Sequence, residues 1–341
     1  MLTRTRRRPL SYRAAGVHLG TADRWVQELK QMVRATQRAE VIGSLEGFGG
    51  LFRLPQRRGQ HWLLVASADG AGTKVKLAQL AQRHIGIGVD VVAMNVNDLL
   101  TFGAEPLFFL DYLAMGTLNR RVMRELVQGM VRGCRDSGCA LLGGETAEMP
   151  GCYGPGEYDV AGFAVGIVDR RRLVDGRAVH RGDVVVGLAS SGVHANGFSL
   201  VRRIFSSAQL QRDRGLLQRL LTPTRIYVRP IRAALHHVRL KAMAHMTGGG
   251  LARRLPSLTT HTGRRLRVAL RSQSWPVPRI FQLIQQRGHI SRDEMHQTFN
   301  MGIGFAVVCA PRDANIVQRI VRRWGVASWI IGDVVNEGRQ A

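Results

Sequence analysis

The chain has little sulfur chemistry: four cysteines in 341 residues, Cys134, Cys139, Cys152 and Cys309. They form neither a Cys-x-x-Cys pair nor the density of a disulfide scaffold, so a cystine-stapled fold is excluded and reduced thiols in a cytosolic protein are the simplest reading. Buried cysteine commonly behaves as a small hydrophobe, which suits Cys134 and Cys139 better than a nucleophile's role. No apolar run approaches the roughly 20 residues that cross a bilayer. The basic start, Met1 to Pro9 with Arg4, Arg6, Arg7 and Arg8, is not followed by an apolar stretch, which argues against a secretory signal and leaves a short transit-like tail as the alternative. Low-complexity tracts and short-period repeats are also missing, so a solenoid is disfavoured. Carboxylates are scarce: 24 Asp and Glu against 49 Lys and Arg give a net charge of +25. Such a field attracts nucleic acid, anionic membrane or phosphorylated metabolites without selectivity. The arginines are nevertheless scattered, and aromatics are only 6% with no interleaved basic block, so a biased composition explains the charge as well as a nucleic-acid surface does.

What the chain has is apolar material, 45% of its residues, enough for a buried core and two domains at this length. Trp62 to Ala66 reads as a buried strand feeding Asp69-Gly70-Ala71-Gly72-Thr73-Lys74. Val89, Val92, Ala93, Val96, Leu99 and Leu100 recur at helical spacing and predict a helix with Asn97 and Asp98 near its C-terminal end. Leu107 to Ala114 is the next strand, and Asn119 can cap a second helix. Phe163, Val165 and Ile167 alternate with smaller residues as a half-buried strand does. A polar stretch at residues 169 to 177 marks the domain boundary. Beyond it Val184 to Leu188, Ala242 to Arg254 and Phe299 to Val308 carry further strands, and a helix is predicted from about Arg279 to Gln286. Both halves are therefore mixed α/β.

Five polar segments follow or end apolar elements: Ser67 to Lys74, Asn95 to Asp98, Gly143 to Gly151, Ser190 to Asn196 and His245 to Gly250. Singly, each has an ordinary reading. Gly143-Gly144-Glu145-Thr146-Ala147-Glu148-Met149-Pro150-Gly151 reads as an acidic turn, Asp98 as a helix-end cap and Thr247-Gly248-Gly249-Gly250 as a flexible turn. Jointly they offer the ingredients of a metal and phosphate site. Neither the dinucleotide fingerprint nor a Walker A loop is present. Even so, backbone N–H groups at Gly70 and Gly72 suit phosphate oxygens, and Lys74 adds a compact positive charge. Asp69, Asp98 and Glu145 supply the oxygen ligands that Mg²⁺ prefers, usually completed by phosphates and water. His194 and Asn196 bring imidazole and amide groups onto one loop, and Thr247 to Gly249 precede a probable helix whose N-terminus suits an anion.

Taken together, these strings resemble the phosphoribosylformylglycinamidine cyclo-ligase family of purine biosynthesis, also called aminoimidazole ribonucleotide synthetases. The resemblance runs from Ser11-Tyr12-Arg13-Ala14-Ala15-Gly16-Val17 to about Gly332. Besides the segments above it includes Gly47-Phe48-Gly49, Gly103 to Tyr112, Tyr158 to Phe163, Leu221 to Tyr227 and Thr298 to Gly304. It implies an N-terminal ATP-binding and dimerisation domain over 1–170, a C-terminal domain over 175–341, and a cytoplasmic homodimer with a shared barrel-like interface. It also implies the reaction: ATP and Mg²⁺ phosphorylate the formamide oxygen of formylglycinamidine ribonucleotide, a substrate nitrogen attacks, and the imidazole closes as phosphate leaves. By the same resemblance Lys30, the loop holding Gly43, Gly47 and Gly49, and Asp69 to Lys74 with Thr73 contact ATP. Asp69, Asp98 and Glu145 handle metal and phosphate, Asp69, Lys74 and His194 serve catalysis, and His194, Asn196, Thr247, Gly248 and Gly249 hold substrate.

The chain departs from the family's pattern at Ala68, Asn95 and Val193, and Arg271 stands where an acidic residue is common, which puts the local geometry of the arginine-rich segment Leu255 to Trp275 in question. A selenophosphate synthetase is disfavoured by the lack of a reactive cysteine near the N-terminus, and a hydrogenase-maturation protein by the lack of a C-terminal cysteine motif. A thiamine-phosphate kinase and a repurposed, basic RNA-binding protein on the same fold remain the alternatives.

Overall fold

The computed structural model describes residues 10–43, 48–55, 61–271 and 273–337. Gly47 and the basic start lie outside them. The first half runs α1 (Leu19–Val33), β1 (Val41–Ile42), β2 (Gly50–Arg53), β3 (Trp62–Gly70), α2 (Val75–Ala81), α3 (Ile85–Leu100), β4 (Glu105–Met115), α4 (Arg120–Ser137), β5 (Ala140–Glu148) and β6 (Tyr158–Asp169). The second half continues with β7 (Val184–Ala189), α5 (Phe198–Ile204), α6 (Ser207–Arg212), α7 (Arg214–Leu220), α8 (Val228–Leu235), β8 (Ala242–His245) and α9 (Gly250–Arg254). It ends with α10 (Ser257–Thr260), β9 (Leu266–Leu270), α11 (Arg279–Gly288), α12 (Arg292–Thr298), β10 (Ile303–Cys309), α13 (Pro311–Arg323) and β11 (Ser328–Asn336).

Each half is built on one sheet, of order β1-β2-β3-β6-β4-β5 in the first and β8-β10-β7-β11-β9 in the second. Neighbouring strands are antiparallel except β4 and β5, whose parallel pairing requires a crossover, and α4 supplies it. Asn119 caps that helix as expected, its Oδ1 accepting from the N–H groups of Arg121 and Val122. The mixed α/β class expected from the sequence holds.

Helix α3 is buried from Ile87 to Leu100 because it has neighbours all round. The first sheet covers one side, α4 crosses another, and α8 and β8 of the second half reach a third. At the α3–α4 crossing Gly88 and Gly129 lie back to back, and a methyl on either would overlap the other helix's backbone at Leu126 O or Ile85 O. One apolar core joins Leu63 and Val91 to Val186, Tyr227 and Phe305, so the two sheets share packing.

The alternation in β6 is resolved by burial. Val160, Ala164 and Val168 face α3, while Phe163 is 44% exposed on the opposite face. Trp62, Leu107, Tyr112 and Leu142 are also exposed large apolar residues of β3, β4 and β5. One correction concerns Gly143 to Glu148. The glycines and glutamates suggested a turn, yet these residues continue β5 at the sheet edge, held by pairing with Leu110 to Met115. Arg271, the other doubtful position, forks onto Asp333 through Nε and Nη2 at 2.7 and 2.6 Å. That pair ties the end of β9 to β11, and the segment is closed despite the reversed charge.

Candidate active site

Asp69 stands near the end of β3, where the chain leaves the sheet for α2. Its Oδ1 accepts from the Gly70 N–H at 2.8 Å. Asn95 on α3 fixes the same turn from below, donating through Nδ2 to Asp69 O at 3.1 Å and Val91 O at 2.8 Å. One turn on, Asp98 accepts from His245 Nδ1 at 2.8 Å, and His245 is the last residue of β8. The strand of one half thus delivers an imidazole to the helix of the other.

Burial first, then repulsion from Asp98, pushes the Asp69 carboxyl up to about 6, against partial relief from its Gly70 bond, His245 and Arg254. Burial also raises Asp98, opposed chiefly by the His245 hydrogen bond. Arg254 balances both charges from α9. Its own guanidinium lies 4.8 Å from the Phe48 ring centroid, and its buried Nε has no partner among the described residues. Two carboxylates held close by folding, with one arginine facing them, form a site that gains from added cation and phosphate.

Three loops close over this pair. Gly72 approaches Ala195 O, Thr73 Oγ1 lies 3.2 Å from Ser199 Oγ, and Asn196 Nδ2 faces Gly248. Segments 69–74, 190–197 and 247–250 therefore converge, as the sequence led us to expect. Gly249 reaches its turn at φ +90°, a backbone conformation that favours glycine. The buried Oδ1 atoms of Asn95 and Asn196 and the Nδ1 of His194 lack hydrogen-bond partners among the described residues. Two of the three, on His194 and Asn196, belong to the converging 190–197 loop, where a polar ligand would satisfy them.

Several expected site residues sit elsewhere or act differently. Lys74 is fully buried, its Nζ committed to Asp90 at 2.8 to 3.0 Å and to Thr222 O at 2.8 Å. Asp90 in turn accepts from Thr224 N and Oγ1 at 2.7 and 2.6 Å. The lysine that looked like a phosphate contact is a bolt between the two halves. Burial lowers Lys74 and raises Asp90, and each charge pulls the other back.

Glu145 does not join Asp69. The register runs Asp69, Gly162, Asp111, Gly144 across β3, β6, β4 and β5, which puts its backbone three strand spacings away, about 14 Å. Among the described residues no group of three His, Cys, Asp or Glu side chains could hold a metal ion by itself. Mg²⁺ commonly binds through one or two carboxylates plus substrate phosphates, and Asp69 with Asp98 fits that mode.

His194 adopts φ +65° and is 1% exposed. Its Nε2 accepts from the Ser191 N–H at 3.2 Å, which leaves the proton on Nδ1. Burial, then the charges of His245, Lys74 and Arg225, hold its pKa well below the usual histidine range. It is a neutral Nδ1–H donor. Lys30 is half-buried on α1, where it donates to Gln27 Oε1. Helix α1 docks near the cleft through an Asp23–Arg253 ion pair. Gly43 and Gly49 stand on either side of residues 44–47, which lie outside the described ones, and Phe48 meets Arg254.

Sequence reasoning missed Asp90 and Arg254 as site-shaping residues. A carboxylate inside the apolar face of α3 was a signal for the first. Arg254 had none to offer, being one basic residue among 49.

Two family models match this chain. "AIR synthase related protein, N-terminal domain" covers residues 49–168, and "AIR synthase related protein, C-terminal domain" covers 180–341. A phosphoribosylformylglycinamidine cyclo-ligase from Rippkaea orientalis is 50% identical over 336 residues, 96% of this chain and 97% of the relative. Another from Anaeromyxobacter dehalogenans strain 2CP-1 is 48% identical over 340 residues, 96% of each chain. Among solved structures, a thiamine-monophosphate kinase from Stenotrophomonas maltophilia K279a has a TM-score of 0.61 at 18% identity, covering 90% of this chain and 92% of that one. A chain of a HypE-HypF complex has a TM-score of 0.63 at 16% identity, covering 92% of this chain and 93% of that one. These distant structures share the fold, whereas the two relatives share about half of the sequence as well. The chain belongs to the phosphoribosylformylglycinamidine cyclo-ligase family.

Proposed function

We propose that this chain, an ATP-dependent ligase of its family, closes the imidazole ring of formylglycinamidine ribonucleotide at the cleft around Asp69, Asp98, His245 and Arg254. The placement rests on the half-buried Asp69 and the buried Asp98 beside one arginine, next to converging loops that carry unpartnered polar atoms. A bound Mg²⁺ would offset the two carboxylates and screen the phosphates of ATP. Asp69 and Asp98 would hold it, and Arg254 would lie against phosphate oxygens. The Gly70 to Thr73 turn supplies backbone N–H groups on the same side.

An amide oxygen leaves poorly and phosphate leaves well, so phosphorylation of the formamide oxygen prepares the carbon for attack by a substrate nitrogen. The protein's work is then positioning and charge compensation. His194, neutral and aimed by Ser191, offers an Nδ1–H to the substrate, and Asn196 with Thr247 to Gly249 forms the adjoining wall. We keep Lys74 out of this chemistry and Glu145 out of the carboxylate pair. Incubation with formylglycinamidine ribonucleotide, ATP and Mg²⁺ is expected to yield aminoimidazole ribonucleotide; a folded, ATP-binding protein that yields none would overturn the assignment.

Further parts of the reading are a division into domains at 1–170 and 175–341 and a cytoplasmic homodimer. No described helix is long and apolar enough to cross a membrane. The open face of the first sheet, with Trp62, Leu107 and Phe163 exposed, supports pairing with a second copy there, since contiguous exposed apolar surface marks interaction sites. Phe163→Glu is expected to shift the protein from dimer to monomer in sedimentation velocity. An unchanged sedimentation coefficient would place the contact elsewhere.

A further inference from the structure

Behind the cleft, on the helical side of the molecule away from the open sheet face, lies a groove of about 420 Å³. Helix α4 forms one wall, the Thr222 to Pro230 segment another, and Trp324 at the end of α13 stands at its margin. Arg132, Arg225 and Arg229 line it, with Asp136 the one acidic residue in the lining. None of these four makes an ion pair within the described residues. Arg229 donates to the Arg135 carbonyl at 2.7 Å, and the buried Nε of Arg225 has no partner among the described residues. Three arginines against one acidic residue give this hollow a positive charge that a phosphate would offset. Their planar forks match phosphate oxygens better than ammonium groups do. Trp324 is 48% exposed and offers an indole face on which a nucleobase can stack. The volume falls within the range of small-ligand pockets, about 300 to 1,000 Å³.

We infer that this groove binds a nucleoside monophosphate, with the base against Trp324 and the phosphate on Arg132, Arg225 and Arg229. The site is separate from the cleft, because neither Asp69, Asp98 nor Arg254 lines it. It is also connected to the cleft. Ser191, part of the groove wall, donates the N–H that fixes His194 Nε2, and the Arg225 charge acts on the same imidazole. An occupant therefore touches the support of a residue assigned to the reaction.

The test is equilibrium dialysis of the full chain against AMP at moderate salt, with Arg132→Ala and Trp324→Ala as variants. Both side chains are solvent-exposed at least in part, so the variants should keep the wild-type unfolding temperature. The expected result is saturable binding of one AMP per chain, weakened about tenfold or more by Arg132→Ala, the loss typical of one charge-assisted contact, and by a similar factor by Trp324→Ala, that of one stacked base. Ribose 5-phosphate, which lacks the base, should bind more weakly than AMP to the wild type and equally to Trp324→Ala. Absence of saturable AMP binding overturns the inference. So does AMP binding that survives both substitutions, which would put the nucleotide in the ATP cleft, or retention of RNA by a protein that ignores AMP.

Discussion

Asp69→Asn is expected to cost at least about 100-fold in cyclisation rate, the scale of removing one preorganised electrostatic group, while making the metal-free protein harder to unfold near neutral pH. Both effects come from the same burial. The carboxyl titrates at about 6 in the fold and near 3.9 in an unfolded chain. A raised acid pKa means that ionisation opposes folding. The penalty is absent below the unfolded value, grows as pH rises from about 4 to 6, and is complete above the folded value. At two units it amounts to at most about 3 kcal/mol, and asparagine removes it. Urea unfolding at two pH values with a chelator present checks the sign: the variant's advantage should be largest above the folded pKa and vanish near the unfolded one. A variant that loses both activity and stability would mean that Asp69 is a structural residue. One that keeps activity would remove it from the site.

Lys74→Met should have the opposite profile. It strands Asp90 in the interior, and breaking a buried pair on one side typically costs about 3–5 kcal/mol. For a chain of this size the midpoint should fall by roughly 6–15 °C. Below the transition, however, the KM for ATP should stay close to that of wild type, because Nζ is occupied by Asp90 and Thr222 O. The double variant Lys74→Met, Asp90→Leu should recover part of the midpoint, since an apolar pair of similar volume replaces the ion pair without leaving a bare charge. A large rise in KM with an unchanged midpoint would restore Lys74 as a phosphate contact.

These two residues also mark how far the sequence was legible. Strand β3 and helix α3 could be read because apolar period and strand length are local signals, and the cap at Asn119 is local too, whereas the short helix α2 between them was not read. That Asp69 and Asp98 meet was readable only through resemblance, because a strand end and a helix interior are brought together by packing. Lys74 was misplaced for a physical reason. Its loop has the composition of a phosphate cradle, and the side chain's direction depends on Asp90 and Thr222, 16 and 148 positions away. The turn expected around Glu145 is a strand, because two glycines before it resemble a turn whereas pairing with Tyr112 carries the chain on along the sheet edge, away from Asp69 of the same chain. Arg254 could not be singled out by charge in a chain so rich in arginine, and only its position over Phe48 opposite two carboxylates sets it apart.

Following aminoimidazole ribonucleotide and ADP together in one reaction containing formylglycinamidine ribonucleotide, ATP, Mg²⁺ and purified protein decides whether this chain closes the ring. Both products should appear in equal amounts, and Asp69→Asn should suppress both while remaining folded. ADP formed without the imidazole product, or neither formed by a folded protein that binds ATP, would contradict ring closure by this chain.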